Sequence, residues 1–260
     1  MFKLKSLDLT NFNTSKVESM SYIFCFCTSL KELNLSSFDT SLVIQMDKMF
    51  EYCSNLISLN LNNFKTPKVN DMNMMFYKCS SLKSLNLSNF DTSLVINMSY
   101  IFYECLNLSL LDISNFNTSN VIDMNHMFGN CFSLSDLKIS HFLTSNVKQM
   151  NEMFYNCLSL KSLDLSNFNI SQVYNMSNMF YNCINLAFLN LSIFNITNIN
   201  DTDKMFYNCS SLKVLNIYNF NISNIYILAN ILSECYNSEY IFLSIANLNT
   251  TIDIFLLSYL

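Results

Sequence analysis

One feature constrains this chain more than any other: a 26-residue period that never slips. Cysteines stand at positions 27, 53, 79, 105, 131, 157, 183, 209 and 235. Phe12, Phe38, Phe64, Phe90, Phe116, Phe142, Phe168, Phe194 and Phe220 keep the same spacing, as do Val17, Val43, Val69, Val95, Val121, Val147 and Val173, followed by Ile199 and Ile225. A period of this length fixes the architecture before any local reading, because each unit is one supersecondary element that must bury its faces against its neighbours. A length of 260 residues is compatible with two domains, but an unbroken period predicts one body. We therefore expect a solenoid of nine units over residues 1–240, the first opening in mid-unit. The pattern fades over residues 241–260, which read as a degenerate tenth unit or a C-terminal cap.

Within one unit, Leu56, Leu59 and Leu61 give L-x-x-L-x-L, whose end alternates apolar and polar as a one-sided strand does. Phe64 then turns inward. After the "NTS" segment, Val121, Met124, Met127, Phe128 and Cys131 fall 3, 3, 1 and 3 residues apart, a spacing that fits one face of a helix. Thr14 or Ser15 is placed to cap that helix, and Ser15 with Glu18 has capping-box spacing. Each coil is thus expected to be α/β: one short strand, a corner and one short helix.

The pattern C-x-x-L-x-x-L-x-L followed by an apolar corner resembles a leucine-rich repeat. The segment "NTSNVIDMNHMFGNCFSLSDLKIS" (117–140) and its sister copies resemble the BspA-like repeat of bacterial and protist surface proteins. The resemblance implies an interaction surface, with no catalytic residues, and a surface-displayed or secreted adhesin-like protein. Where ordinary leucine-rich repeats carry an asparagine after the strand, this chain has Phe64 and its equivalents, so no asparagine ladder is expected there.

Composition excludes several function classes. Hydrophobic residues make up 51% of the chain, too many for disorder, while the longest apolar runs fall well short of a membrane-spanning helix. A net charge of −5 and the lack of a lysine cluster argue against a nucleic-acid partner. The first ten residues lack the apolar core of a signal peptide. A cell-surface or secreted location therefore rests on the family resemblance, with the cytoplasm as the alternative. The scarcity of Gly, Pro and Trp and the use of lysine for every basic residue suggest an AT-rich coding sequence, so enrichment in Asn or Ile is discounted as evidence of function.

Candidate sites were weighed against structural roles. Ten cysteines lack paired metal-ligand spacing, and their side chains in adjacent coils run parallel, which disfavours disulfides; they read as buried thiols. His126 and His141 have no acidic or cysteine partner at a motif spacing, and Gly129, the sole glycine, rules out Gly-rich phosphate loops. No catalytic, cofactor or metal site is expected, no small-molecule substrate, and no enzyme activity. Tyr77, Tyr103, Tyr155, Tyr181 and Tyr207 read as a vertical stripe serving repeat packing. Phe116→Ala should be costly and Asn115→Ala nearly silent.

In a repeat protein, information about partners lies in outward columns. One reads Asp8, Asn34, Asn60, Asn86, Asp112, Lys138, Asp164, Asn190, Asn216, a polar ladder. Its neighbour reads Ser6, Glu32, Ser58, Ser84, Leu110, Asp136, Ser162, Phe188, Val214, and turns apolar toward the end. Phe188, Ile193, Val214 and Tyr218 are accordingly expected to form one exposed patch on the strand side, contacting a protein, either host or self, unless residues 241–260 cover it. The function that follows is non-enzymatic recognition; an intracellular scaffold or substrate-recognition module is the alternative.

Overall fold

The computed structural model describes residues 4–222, 225–235 and 240–245. Successive 26-residue coils stack in parallel and in register. Regular elements are few: β1 (Ser84–Asn86), β2 (Leu110–Asp112), β3 (Phe188–Asn190), β4 (Val214–Ile222), α1 (Ile225–Ile231) and β5 (Tyr240–Ile245). All strand pairs are parallel, β1 with β2 and β3 with β4 with β5. Their registers join residues 26 apart, such as Ser84 with Leu110 and Val214 with Tyr240. Between these strands the same face continues with isolated cross-coil bonds, for example Ile57 N–H to Lys31 O at 3.1 Å.

The expected helix in each coil is absent from the repeated units; α1, in the last coil, is the only helix among the described residues. A ribbon of consecutive turns stands in its place. In the coil that contains Phe102, the N–H groups of Ile101, Tyr103 and Cys105 donate to carbonyls three residues back. Those of Met98, Tyr100, Phe102 and Glu104 donate instead to Asp123, Asn125, Met127 and Gly129 of the next coil, at 2.9 to 3.1 Å. Parallel bridges run unbroken from Ser19 through Gln45, Asp71, Asn97, Asp123, Gln149 and Asn175 to Asp201. Local turns and cross-coil bonds thus alternate along the ribbon.

The physical reason is spacing. Stacked phenylalanine rings repeat at 5.4 to 5.8 Å on the ribbon side, from Phe24 to Phe206, and at 6.3 to 6.5 Å in the corner stacks formed by Phe38, Phe64 and Phe90 and by Phe142 and Phe168. An α-helix with side chains is about 10 Å across and cannot repeat at that interval, whereas hydrogen-bonded strands or turns, about 4.8 Å apart, can. The ribbon requires left-handed backbone at two positions per coil: Lys48 and Tyr52, Met74 and Lys78, His126 and Asn130, Asn178 and Asn182 among them, with φ between 54° and 60°. Among residues other than glycine, asparagine tolerates that region best, and Asn130, Asn156, Asn182 and Asn208 also join into an amide ladder, the Nδ2 of Asn156, Asn182 and Asn208 each donating to the Oδ1 one coil before at 2.7 Å.

Inside, the columns are rungs of a single core. The Phe, Met, Val and Leu positions are almost all fully buried from the second coil onward. Thr14 does not cap a helix. Thr14, Thr40, Thr92, Thr118 and Thr144 are buried, and each hydroxyl both donates to a carbonyl and accepts from an N–H of the next coil, as Thr92 does with Asn117 at 2.9 and 2.7 Å. The ladder ends where Ile170 and Ile196 take over the column.

Candidate interaction surface

The strand side displays two kinds of residue. In the polar ladder, the side-chain oxygens of Asp8, Asn34, Asn60, Asn86, Asp112, Asp164, Asn190 and Asn216 accept from the backbone N–H two residues on. These are Asx turns, and those at Asn86, Asp112 and Asn190 end β1, β2 and β3. Hydrogen bonds from Thr10, Ser114 and Ser166 hold the carboxyls of Asp8, Asp112 and Asp164 below the usual carboxylate range. The ladder is therefore committed to local structure, leaving the neighbouring column to distinguish one coil from another.

In that column, Phe188 is 56% exposed and pairs in register with Val214, which is half-buried between β3 and β5. Ile193 and Tyr218, on the same two coils, are 51% and 57% exposed. Tyr240–Ile245 lies beside β4 in the next register position, and residues 246–260 fall outside the described residues. A second departure, Leu110, is 69% exposed. It opens onto a shallow depression with Asn60, Ser84, Asn86, Asp136 and Lys138.

The ribbon side carries the tyrosine stripe, and its geometry is that of packing. Tyr155, Tyr181 and Tyr207 stack at 4.8 Å with 10° to 17° between planes, and Tyr77 stacks on Tyr103 at 5.3 Å. Ring faces are used up against one another. Gly129 interrupts the stack, and Tyr103 leans into the space, its Cδ2 only 2.8 Å from where a Cβ at 129 would lie. His126 has an acidic partner one coil away: its Nε2 lies 2.8 Å from Glu152 Oε2, while its ring stacks on Tyr100 at 4.3 Å. His126 and Glu152 occupy equivalent positions in adjacent coils, so the pair was visible in the period although it matches no catalytic spacing.

The cysteine column is chemically quiet. All ten cysteines are free thiols. From Cys53 to Cys209, each Sγ donates to a phenylalanine carbonyl of the preceding coil at 3.1 or 3.2 Å. Burial pushes Cys105 and Cys157 up to about 12, which suppresses the reactive thiolate. No group of three or more His, Cys, Asp or Glu among the described residues is arranged to hold a metal ion. No helix among them is long and apolar enough to cross a membrane.

Three polar ladders escaped the sequence reading: the threonines, the amide ladder from Asn130 to Asn208, and a column of asparagines before the corner Phe. Besides the threonines, Asn63 and Asn89 donate from Nδ2 to three carbonyls each of the preceding coil, and Asn115 donates to Ser88 O. The asparagine ladder of this repeat thus stands one residue before the corner Phe. Asn115 thus bonds across coils, and the asparagine column is replaced at Ser37, His141 and Ile193; Ser37 and His141 still reach a carbonyl of the preceding coil, whereas the Ile193 side chain has no donor. A column that is Asn in most coils was the available signal.

Comparison with known proteins places the chain in a family. Successive, overlapping matches over residues 1–108, 55–162, 82–187 and 135–241 show that it belongs to the family described as Mycoplasma protein of unknown function, DUF285. No curated protein matches it. Among solved structures it is similar to a leucine rich cell surface protein from Faecalibacterium prausnitzii A2-165, at 18% identity over 87% of this chain and 69% of the other, with a TM-score of 0.39. It is also similar to a T. pallidum leucine rich repeat protein, at 20% identity over 75% and 70%, with a TM-score of 0.30. A third similarity, to TLR13 in complex with ssRNA13, has 16% identity over 83% of this chain and 29% of the other, with a TM-score of 0.39.

Proposed function

We propose that this member of the DUF285 family is a non-enzymatic recognition solenoid that binds a protein partner through its strand side, displayed at the cell surface or secreted. The observation that carries the reading is the cluster of departures on two adjacent coils. Phe188, Ile193 and Tyr218 present large apolar groups in columns that are mostly polar in the other coils, and each is more than half exposed. Exposed apolar side chains on an otherwise polar sheet lose free energy unless something covers them, and a rigid repeat surface offers them pre-ordered. The resemblance of the repeat to BspA-like repeats supports the surface location.

Two experiments test it. A photo-crosslinking residue at position 188 on the native protein should capture one defined partner, and the same residue at position 34, in the polar ladder, should capture none. Phe188→Ser with Tyr218→Ser should abolish capture with little change in the melting transition. Equal capture from both positions, or a large loss of stability in the double variant, would remove the patch as a binding site. Protease treatment of intact cells decides location: cleavage supports display, and complete protection supports the intracellular scaffold instead.

A further inference from the structure

The face between the corner phenylalanines and the ribbon carries a pattern of its own. Val43, Val69, Val95, Val121 and Val147 are fully buried, and the residues immediately before and after each of them are exposed. Cross-coil hydrogen bonds fix this face in register: Ile96 N–H to Asn70 O and Ile122 N–H to Ile96 O at 2.9 Å, and Lys148 N–H to Ile122 O at 2.8 Å. On it Leu94 is 51% and Ile96 47% exposed, and Leu42, Ile44 and Ile122 are each more than a third exposed. Leu94, Ile96, Ile122 and Lys148 line one open groove, whose other walls are side-chain amides. Clustered apolar exposure of this kind marks a contact surface, and its two columns are not those of Phe188 and Tyr218.

We propose that this face joins two copies of the chain side by side, across a two-fold axis that runs along the valine column. A two-fold contact requires one patch to complement itself, and such an axis sets the residue before each valine against the residue after it in the same coil of the second copy. Leu42 then meets Ile44, Leu94 meets Ile96, and Lys16 meets Glu18 with opposite charge. Lys68 and Lys148 meet Asn70 and Asn146, so no like charges oppose each other. Farther out, Ser93 and Ser119 come opposite Asn97 and Asp123, a rim that can hydrogen-bond. The antiparallel register that pairs Leu42 with Leu94 also sets Lys68 against Lys68, and that repulsion disfavours it. An unrelated partner needs no coil-by-coil match between the two columns, whereas a second copy does. The seam from Lys16 to Tyr174 is about 30 Å long, at roughly 4.8 Å per coil, and only a few residues wide. That puts it at the small end of interfaces, below about 1,200 Å² in total, where association is weak. The dimer therefore forms in the micromolar range and leaves the strand side open.

Sedimentation equilibrium of the full chain, from low micromolar to submillimolar concentration, is the test. The expected result is a reversible monomer–dimer equilibrium. Ile96→Asp should weaken it about tenfold or more and leave the melting midpoint of dilute protein unchanged. Lys16→Glu, at a solvated position, should weaken it a few-fold by setting like charges together, and adding Glu18→Lys should restore the original affinity. A monomer throughout the range overturns the proposal, as does a dimer that neither Ile96→Asp nor Lys16→Glu weakens. Failure of the double exchange to recover what Lys16→Glu lost rules out the two-fold pairing. A photo-crosslinking residue at position 96 should link two copies; capture of a different protein there, with the chain itself monomeric, would assign the face to that partner and overturn the dimer.

Discussion

Replacing Thr92 by Val tests whether the threonine column holds coils together. The Thr92 hydroxyl is fully buried, donates to Asn117 O at 2.9 Å and accepts from Asn117 N–H at 2.7 Å. Valine keeps the shape and removes both bonds. Two net contributions of about 1 kcal/mol each are lost, and an added buried methyl returns somewhat less than 1 kcal/mol. The expected destabilisation is about 1–2 kcal/mol, or ~3–6 °C in the melting midpoint of a chain this long. Urea unfolding followed by circular dichroism measures it. Thr92→Ser is the control: it retains the hydroxyl and loses only a methyl group, so it should cost less than Val. If Val is neutral and Ser is the more damaging, the methyl group matters and the hydroxyl does not, and the cross-coil ladder contributes nothing.

Other outcomes follow from the same ladders. Phe102→Ala removes a fully buried ring stacked between Phe76 at 5.8 Å and Phe128 at 5.7 Å and should cost about 3–5 kcal/mol by denaturant titration. Asn182, at φ 58°, donates to Asn156 and accepts from Asn208. Asn182→Gly should lose only the amide ladder, while Asn182→Ala adds about 1 kcal/mol of left-handed backbone strain, a difference that paired melts would resolve. Burial raises Cys105 and Cys157 to about 12, so the folded thiols stay protonated where unfolded ones, near pKa 9, ionise. Their contribution to stability is complete below pH 9 and is lost as pH rises toward 12. Melting midpoints should fall across that window, and iodoacetamide at pH 8 should label the native ladder far more slowly than the denatured chain.

What could be read from the sequence was set by the columns. The period alone placed Phe64, Val69, Cys79 and Leu82 inside, and all four are fully buried. The tyrosine stripe followed from the same logic. The helix did not, because apolar residues 3, 3, 1 and 3 apart satisfy consecutive three-residue turns as well as a helical face, and only the coil spacing separates the two. That spacing is visible only in the structure, where rings on the ribbon side repeat at 5.4 to 5.8 Å, too close for a helix about 10 Å across. Thr14 and Asn115 were misread for one shared reason: side chains that bond across coils have partners 25 to 27 residues away, and capping rules look only at neighbours along the chain. Phe188 and Tyr218 stood out because they depart from their columns, and a departure identifies a position without identifying what covers it.

The central claim is that the segment containing Phe102 is a ribbon bonded across coils. Scalar couplings through hydrogen bonds, measured by NMR on deuterated protein, report the acceptor of each amide directly. The structure predicts a coupling from the Phe102 amide nitrogen to the carbonyl carbon of Met127, in the next coil, matching the 3.1 Å hydrogen bond between them. A coupling from Phe102 to Met98, four residues back as in an α-helix, would contradict it.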